Sequence, residues 1–571
     1  MSALRRWWQR GRAHAQQRFG VARPDLREVG LRLRVVLGLA ALVGVSTGCI
    51  VAAFDKVVRD GMFAWVLRQP VALAAAIPAL GLTVAVLVAR APGHGDTATT
   101  DAYVRTYHER GGTLRVQDLW AKLLECAATL GSGGALGYEG PALLSGATLG
   151  SWAESRFMQR FRQDDAKVLM VAGAAAGIAA VFRAPLTGIV FALEVPYTQD
   201  LARRALLPAL VGASTSYLTF VALLGTGRIF EISGGAAFDL RDLLGGFAVG
   251  VLCGALARVG AWAIARAKHL AIPVAIRVAG AGLALFALAL VSHQWFDAPL
   301  SLGSGYEAIA WAQRHETALG LLVALFLVRF AATWFTVAGG GVGGLFIPLV
   351  TQGAIAGHVV QAVVHAPNPG LFPTVGIAAF LGAGYRTPLA GVSFVAEATG
   401  QPGFVVPALL AAAASQLVMG RWSFSPHQRD ERRPNLIPLD QIAVETLMSP
   451  NPDTVTADRP LDECLIEMSR ENRRWVPVVD DGRYFGLLAL TDIAKVPPAE
   501  WSHRTARDVA RTDVPTASAS DSVAHIAHMI REHGAGAVAI SDDGRVTGVV
   551  TIRDIANIER LLDRLDAEAD P

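Results

Sequence analysis

The sequence predicts an all-α membrane domain, built from two related halves with broken helices, followed by a soluble α/β region made of two small copies. Three observations predict this fold class. Hydrophobic residues make up 52% and charged residues 17% of the 571 residues, whereas soluble domains carry about 25% charged residues. Long apolar segments alternate with short ones cut by Gly and Pro, and each of the two parts contains an internal repeat.

The bulk composition limits the classes of function. The net charge is only +3, which argues against nucleic acid as the main partner. The four cysteines lie far apart and show neither a Cys-x-x-Cys spacing nor a disulfide framework. We take the cysteines as thiols or apolar packing, and we expect no metal site and no required cofactor.

The first 30 residues form a segment rich in arginine, with seven of these residues. No short apolar core with a small-residue cleavage site follows, so we expect no cleaved signal peptide. The positive-inside tendency places residues 1–30 in the cytoplasm. An RNA-binding arm is the weaker alternative, because hydrophobic spans dominate what comes next.

A membrane domain is predicted over residues 31–426, in halves of about 31–230 and 240–426. A span needs roughly 20 apolar residues, and five segments come close to that length: 33–54, 71–88, 243–264, 274–291 and 319–337. Shorter apolar segments cannot cross alone and are expected as broken or re-entrant helices. These are 143–149, 186–193, 345–350 and 389–395.

The membrane part contains an internal repeat. The sequence Arg-Ala-Pro-Leu-Thr-Gly-Ile-Val-Phe-Ala-Leu-Glu at 183–194 returns as Arg-Thr-Pro-Leu-Ala-Gly-Val-Ser-Phe-Val-Ala-Glu at 386–397, and the offset is 386 − 183 = 203. Earlier in each half, Gly-Tyr-Glu-Gly-Pro at 137–141 corresponds to Gly-Gly-Leu-Phe-Ile-Pro at 343–348. Broken helices at corresponding places of two halves point to a binding site near the bilayer midplane.

A charged linker is predicted at 427–440, followed by soluble copies at 441–500 and 501–562 and a tail at 563–571. Each copy contains an amphipathic helix whose apolar residues fall at i, i+3, i+4 and i+7, with Asp458 and Ser520 as the expected N-caps. Two short strands joined by Asp-Gly follow each helix, which is a strong hairpin signal. The apolar helix positions are Leu461, Cys464, Leu465 and Met468 in the first copy and Val523, Ile526, Ala527 and Ile530 in the second.

Three membrane motifs resemble the CLC family of chloride channels and transporters. Gly-Tyr-Glu-Gly-Pro at 137–141 is similar to the family's Gly-Arg-Glu-Gly-Pro, which carries the gating glutamate. Gly-Leu-Phe-Ile-Pro at 344–348 matches the family's Gly-x-Phe-x-Pro, and residues 173–186 look like the helix pair that follows the gate. The resemblance covers about residues 33–425, and it implies that the two halves are inverted repeats.

The resemblance also implies an anion site. Backbone N–H groups of Leu345 and Phe346 would line a central chloride site, and those around Tyr138, Glu139 and Gly140 would line an outer one. Helix N-termini suit an anion because their unpaired N–H groups and macrodipole provide positive potential without a full trapping charge. Glu139 is the expected gate: ionised, it occupies an anion site, and protonated or swung out, it frees that site. The weaker alternative is a structural carboxylate near an interface.

The sequence departs from the family in four places. The family's Gly-Ser-Gly-Ile-Pro is present only as Gly-His-Gly-Asp-Thr from Gly93, so His94 replaces one hydroxyl of the central site, and Phe424 replaces the tyrosine that supplies the other. The site would then rest on backbone donors. His94 either attracts anions when protonated, making conduction sensitive to pH, or packs as a neutral histidine at a helix end. Tyr138 replaces an arginine beside the gate, and Val195 stands where proton-coupled members have an inner glutamate.

The residue at position 195 bears on the proton path. Val195 removes an acid that could relay protons, which favours passive conduction over exchange, although water or Glu194 could substitute. Glu194 and Glu397 end the repeated helices. An equally strong interpretation of both is a helix-end carboxylate that faces water or a neighbouring arginine.

The soluble copies resemble CBS domains. The matching segments are Gly-Leu-Leu-Ala-Leu-Thr-Asp at 486–492 and Gly-Val-Val-Thr-Ile-Arg-Asp at 548–554. The resemblance implies that Asp492 and Asp554 could bind the ribose of an adenine nucleotide, with Thr491 and Arg553 near phosphate. The alternative is that both aspartates only cap helices.

The sequence therefore predicts transmembrane chloride transport, with a passive gated channel favoured and a proton–chloride antiporter of the same fold as the alternative. A CBS-regulated membrane enzyme is disfavoured because the chain has no His-Glu-x-x-His and no phosphate-binding loop. A cation transporter is disfavoured because few acidic residues occur in the spans. The resemblance implies a homodimer in the cell membrane with both termini cytoplasmic, and voltage, pH and nucleotide stay open as the gating stimulus.

Overall fold

The computed structural model describes residues 26–90, 99–109, 113–158, 167–227, 230, 238–314, 318–364, 368, 370–400, 402–430, 442–471 and 473–558. The chain forms two compact units, Met1–Arg432 and Arg433–Pro571. The first unit is helical where it is described, and the second contains two small sheets.

The helices of the first half follow from the apolar composition, because a helix satisfies its own backbone N–H and C=O groups and can therefore lie in lipid. A π-helical segment, Lys56–Phe63, continues α1. The α-helices are α1 (Leu26–Asp55), α2 (Ala64–Leu67), α3 (Val71–Ala89), α4 (Thr100–His108), α5 (Val116–Gly131), α6 (Glu139–Phe157), α7 (Val168–Phe182), α8 (Pro185–Glu194) and α9 (Leu206–Leu224).

The second half repeats this pattern of long and short helices. Prolines open the equivalent helices α8 and α16 at their first position, where a missing N–H costs nothing. The α-helices are α10 (Leu240–Lys268), α11 (Val274–Phe296), α12 (Tyr306–Arg314), α13 (Leu319–Ala338), α14 (Phe346–Val364), α15 (Leu371–Tyr385), α16 (Pro388–Thr399) and α17 (Val405–Met419).

Within the described ranges, seven helical segments are long and apolar enough to cross a membrane. They include all five predicted spans, and they add Arg203–Leu224 and Phe346–Val364. Of the four segments predicted to be short, 186–193 and 389–395 do lie in short helices. The other two, 143–149 and 345–350, fall in or at the start of 19-residue helices, α6 and α14, of which only α14 is among the seven segments long and apolar enough to cross.

Helices α6 and α14 extend beyond the apolar segments 143–149 and 345–350 through glycines that lie at close helix crossings. A Cβ on Gly146 of α6 would lie 1.9 Å from the Gly173 carbonyl oxygen of α7, and one on Gly353 of α14 would lie 2.3 Å from the Gly376 carbonyl oxygen of α15. The helices therefore continue through positions where only hydrogen fits, and such small residues let helix backbones approach closely in membranes. The same crossing occurs once in each half.

The second unit contains two three-stranded sheets, with strand orders β2-β3-β4 and β1-β6-β5. Strand β1 (Ser449–Pro450) comes early in the unit but pairs with β6 (Arg545–Thr551), so the two copies share a sheet. The other elements are β2 (Val455–Thr456), α18 (Leu461–Arg470), β3 (Trp475–Asp480), β4 (Arg483–Ala489), α19 (Leu490–Ile493), α20 (Ala506–Val509), α21 (Val523–Glu532) and β5 (Ala537–Asp542).

Both predicted hairpins form, and both predicted N-caps are wrong. The turns place Asp481 and Gly482, and likewise Asp543 and Gly544, at positive φ, as two-residue hairpin turns require. Helix α18 begins after Pro460, without a side-chain cap. Helix α21 is capped by Ser522, whose hydroxyl accepts from the His525 N–H, because that serine directly precedes the first helical residue.

Candidate anion-binding site

The starts of α6 and α14 lie against each other. Gly137 and Gly344 exchange two backbone hydrogen bonds, each 2.8 Å from N to O, and so form an isolated antiparallel bridge. These glycines belong to the two motifs singled out in the sequence, one from each half. The bridge therefore brings Glu139 next to the turn at Leu345 and Phe346.

The Glu139 carboxylate occupies the start of α14. Its Oε1 accepts a hydrogen bond of 2.5 Å from the Phe346 N–H, and the N–H groups of Ile347 and of Glu139 itself also face the carboxylate. The side chain is 2% exposed, and within the described part of the chain Oε2 has no hydrogen-bond partner. A negative group thus sits among backbone donors at a helix N-terminus, where an anion is stabilised.

Glycines make the space for this carboxylate. A Cβ on Gly344 would lie 2.0 Å from Oε1 of Glu139, and one on Gly137 would lie 1.9 Å from Oε2. A Cβ on Gly140 would lie 2.6 Å from both the Gly344 nitrogen and the Thr99 hydroxyl. Side chains at these positions would fill the pocket that the carboxylate occupies, so the motifs need glycine for space.

Aromatic rings from both halves hold the start of α14 in place. The ring of Phe346 packs against Phe182 at 4.4 Å, Phe394 at 5.1 Å and Phe191 at 5.3 Å between centroids. Offset and edge-to-face contacts of this kind are worth about 0.5–1.5 kcal/mol each beyond burial. The Phe346 N–H is therefore aimed by a rigid cluster.

A cavity of about 200 Å³ adjoins this turn. Leu345 and Phe424 line it, and so do three hydroxyl residues that the sequence analysis did not single out: Thr99, Thr100 and Tyr385. The sequence carried one signal for the tyrosine, since Tyr385 precedes the second copy of the Arg-x-Pro repeat. It carried none for the threonines, which the start of α4 brings to the cavity.

Basic residues line the same cavity, from the end of α10, the start of α11 and the segment after α17. Lys268, His269, Arg277 and His427 are among them. Lys268 pairs with Asp101 at 2.7 Å from Nζ to Oδ2. The cavity therefore offers positive charge together with hydroxyl and backbone donors, a combination that favours an anion over a cation.

Of the remaining residues predicted for the anion site, one lines the cavity, one is buried beside Phe54, and two, Gly93 and His94, lie outside the described residues. Phe424 lines the cavity, held by a 2.9 Å hydrogen bond from its N–H to the Gly384 carbonyl. Tyr138 is buried against Phe54, with ring centroids 6.5 Å apart.

A positive charge near Tyr138 comes from another element. Arg59 lies in the π-helical segment after α1, close enough to Tyr138 to act on it electrostatically. Its guanidinium pairs with Asp55 at 2.8 Å. Arg59 thus places a cation near the position where the family resemblance implies an arginine, and the sequence analysis did not single it out.

Glu194 and Glu397 cap helices of the opposite half. The Glu194 carboxylate accepts from the Leu389 N–H at 3.2 Å and the Ala390 N–H at 2.9 Å, at the start of α16. The Glu397 carboxylate accepts from the Leu186 N–H at 2.9 Å and the Thr187 N–H at 2.7 Å, at the start of α8. One of the two interpretations placed water or an arginine at these carboxylates; instead each binds orphan N–H groups of a helix N-terminus. Val195 is fully buried beside Glu194.

The predicted nucleotide-binding residues lie after equivalent strands, β4 and β6. Thr491 and Arg553 are exposed. Asp492 pairs with Lys495 at 2.7 Å, whereas Asp554 accepts from the N–H and hydroxyl of Thr551. The capping interpretation therefore describes Asp554 and does not describe Asp492.

Together, the spans and the broken helices define a multi-pass membrane protein with a buried carboxylate held by backbone donors. Comparison with known proteins agrees with this class. The family model for the voltage gated chloride channel matches residues 80–420, and that for the CBS domain matches residues 444–498 and 506–560. The chain belongs to the CLC family of voltage gated chloride channels, whose members transport anions, and it carries two CBS domains.

Several solved structures share the fold. A slow cyanobacterial Cl⁻/H⁺ antiporter matches with a TM-score of 0.61 and 22% identity, covering 67% of this chain and 94% of its own. A CLC-type fluoride/proton antiporter matches with a TM-score of 0.58 and 20% identity, and the match covers 70% of this chain and 99% of the antiporter. A eukaryotic CLC transporter matches with a TM-score of 0.59 and 17% identity, and the match covers 92% of this chain and 98% of the transporter. At these identities the likeness shows the fold alone.

Proposed function

We propose that this protein conducts chloride passively through the site between α6 and α14, and that Glu139 is its gate. The observation that carries the proposal is the Glu139 carboxylate on the Phe346 N–H. A carboxylate held there takes the place of a permeating anion. Its protonation or rotation would leave the same donors free for chloride, because they belong to the backbone and stay in place.

Passive conduction is favoured over exchange by the surroundings of Glu194. By the family resemblance, Val195 occupies the position of the inner acid, and Glu194 is the carboxylate directly before it in the sequence. Both Glu194 oxygens accept N–H groups of α16 and the residue is 6% exposed. A carboxylate bound in this way stabilises a helix start and is poorly placed to exchange protons with water.

The alternative is a proton-coupled antiporter of the same fold. Two of the structures that share the fold are described as Cl⁻/H⁺ and fluoride/proton antiporters. Glu139 alone could carry a proton between the cavity and the opposite side. Coupling would then need a water path in place of the inner glutamate.

Anion flux from liposomes tests the proposal. We expect chloride efflux from the wild type that varies with pH, and faster efflux that is insensitive to pH from Glu139→Ala, because the competing carboxylate is gone. A reversal potential that stays at the chloride value under a pH gradient supports a channel, and a shift away from it supports an antiporter. Equal, undetectable efflux from both proteins would contradict anion transport through this site.

We further propose that the chain is a homodimer in the cell membrane with both termini cytoplasmic, and that the CBS pair binds an adenine nucleotide. The family resemblance supports the dimer, and the arginine-rich first 30 residues support the orientation. Asp492 and the exposed Thr491 and Arg553 support the nucleotide site. Cross-linking in membranes and titration of the full chain with ATP and AMP test these proposals.

A further inference from the structure

A tyrosine hydroxyl with no assigned role lies at the cavity beside α14. Tyr385 lines this cavity together with Leu345 and Thr100, and polar groups of both residues act on its hydroxyl. The tyrosine is 3% exposed, and its ring meets Phe191 edge-on, with centroids 5.4 Å apart and an interplanar angle of 88°. The hydroxyl is therefore held in one place among polar partners.

The chemistry of these groups decides which way the hydrogen bonds run. A backbone N–H can only donate, so Oη is the acceptor in the pair that Leu345 and Tyr385 form. The tyrosine hydroxyl still has its own proton to donate, and Thr100 is a hydroxyl on the same cavity wall that can accept it. A threonine hydroxyl both donates and accepts. The tyrosine O–H can therefore turn from Thr100 to an anion, while the Thr100 hydroxyl forms a hydrogen bond with another partner. A chain from N–H through Oη to the anion also polarises each link.

We propose that Tyr385 supplies the side-chain hydroxyl donor of the central anion site, with Thr100 as the group that it bonds when no anion is bound. This rests on the proposed function, because it concerns the same site. Leu345 then acts on the anion through Oη, while Phe346 acts directly.

The position of Phe424 supports the assignment. Its N–H donates to the carbonyl of Gly384, the residue before Tyr385, and its Cδ2 lies 3.3 Å from where a Cβ of Gly384 would be. Phe424 and Tyr385 are therefore neighbours that line one cavity. The hydroxyl that the family resemblance places at position 424 is present in this chain on the adjacent ring.

The internal repeat shows that the hydroxyl is specific to one half. Phe182 corresponds to Tyr385, since each precedes the repeated Arg-x-Pro sequence. Phe182 packs on Phe346 in the aromatic cluster. Packing at this position therefore needs only an aromatic ring, and the hydroxyl at 385 adds a group that packing does not require.

Chloride titration by calorimetry on the purified full chain tests the assignment. We expect Tyr385→Phe to weaken chloride binding by about tenfold, because the variant loses a hydrogen bond to a charged group. Tyr103→Phe is the matched control, since it removes a buried hydroxyl that donates to the Ala192 carbonyl at 2.9 Å. It should leave chloride binding unchanged.

Two further variants separate a binding role from a structural one. In Tyr385→Phe/Phe424→Tyr the hydroxyl returns to the adjacent ring, and chloride binding should recover to within about threefold of the wild type. Thr100→Val removes the competing acceptor, so chloride should bind more tightly, which loss of a structural contact would not cause. It also provides the test if Tyr385→Phe does not fold.

Unchanged chloride affinity in Tyr385→Phe, no recovery in the double variant or weaker binding in Thr100→Val would each overturn the assignment. These results are separable from the proposed function. Flux by the wild type and by Glu139→Ala decides whether chloride passes through the site at all, whichever residue supplies the hydroxyl.

Discussion

The two halves of the membrane unit place the same backbone at the site but different side chains. Helices α6 and α14 both begin at a glycine-rich turn, and the turns exchange two hydrogen bonds through Gly137 and Gly344. The first half adds the Glu139 carboxylate, whereas the second adds the N–H group of Phe346 that receives it. The repeat thus provides two helix starts, and the difference between them places one carboxylate on the backbone donors of the other half.

A second pair of positions is used symmetrically. Glu194 of α8 caps α16, and Glu397 of α16 caps α8. Both glutamates keep the same role in the two halves, because the end of each helix lies against the start of the other. Equal residues at equivalent positions therefore indicate support of the fold, and unequal ones indicate the site.

The largest effect is expected at the glycine that receives the gate. In Gly344→Ala the new methyl group would lie 2.0 Å from the present position of the Glu139 Oε1. It would occupy the place of both carboxylate and anion, and we expect chloride flux to fall by about 100-fold, at the upper end of overpacking costs.

Liposome flux measures this effect, and Gly320→Ala is the control, because a Cβ there meets no atom within 4 Å. The double variant Gly344→Ala/Glu139→Ala should stay impaired. Flux from Gly344→Ala as fast as from Glu139→Ala would show that chloride does not use the place of the carboxylate.

An intermediate and equal effect is expected at the two cross-capping glutamates. Glu194→Gln and Glu397→Gln each replace one acceptor oxygen by an amide NH₂ group, which cannot accept a hydrogen bond from a backbone N–H. We expect each variant to lower the free energy of unfolding by about 1–3 kcal/mol. Thermal unfolding in detergent measures the loss, and the two variants control for each other.

The Glu194→Gln variant also sharpens the choice between channel and antiporter. Because we assign Glu194 a structural role, the reversal potential of the Glu194→Gln variant under a pH gradient should match that of the wild type. A changed proton coupling in Glu194→Gln alone would assign that residue to a proton path and break its symmetry with Glu397.

The smallest effect concerns the two copies in the soluble unit, whose helices start differently. Helix α21 has a serine cap and α18 has none. Ser522→Ala should destabilise α21 by about 1 kcal/mol, seen as faster amide exchange in that helix of the full chain. Ser520→Ala, which changes the position expected from sequence, should alter exchange far less, and the opposite order would reinstate Ser520 as the cap.

Local patterns were readable from the sequence. Hydropathy predicted the five spans, and the Asp-Gly pairs predicted both hairpins, because these features depend on neighbours along the chain. The repeat placed Glu139 opposite the turn at 345–346. The lengths of α6 and α14 were not predicted, because glycines that end an apolar run also allow a tight helix crossing, which depends on a partner helix.

By itself, the sequence determined that this is a two-part membrane protein with duplicated broken helices and a carboxylate between Gly and Pro. Only the tertiary structure decided which groups share the cavity, since Thr99 and Tyr385 are distant in the chain and follow no common spacing. It also decided that Glu194 and Glu397 exchange caps and that Arg59 lies near Tyr138. Hydrogen bonds reach about 3 Å through space whatever the separation in sequence, so such partners are set by packing.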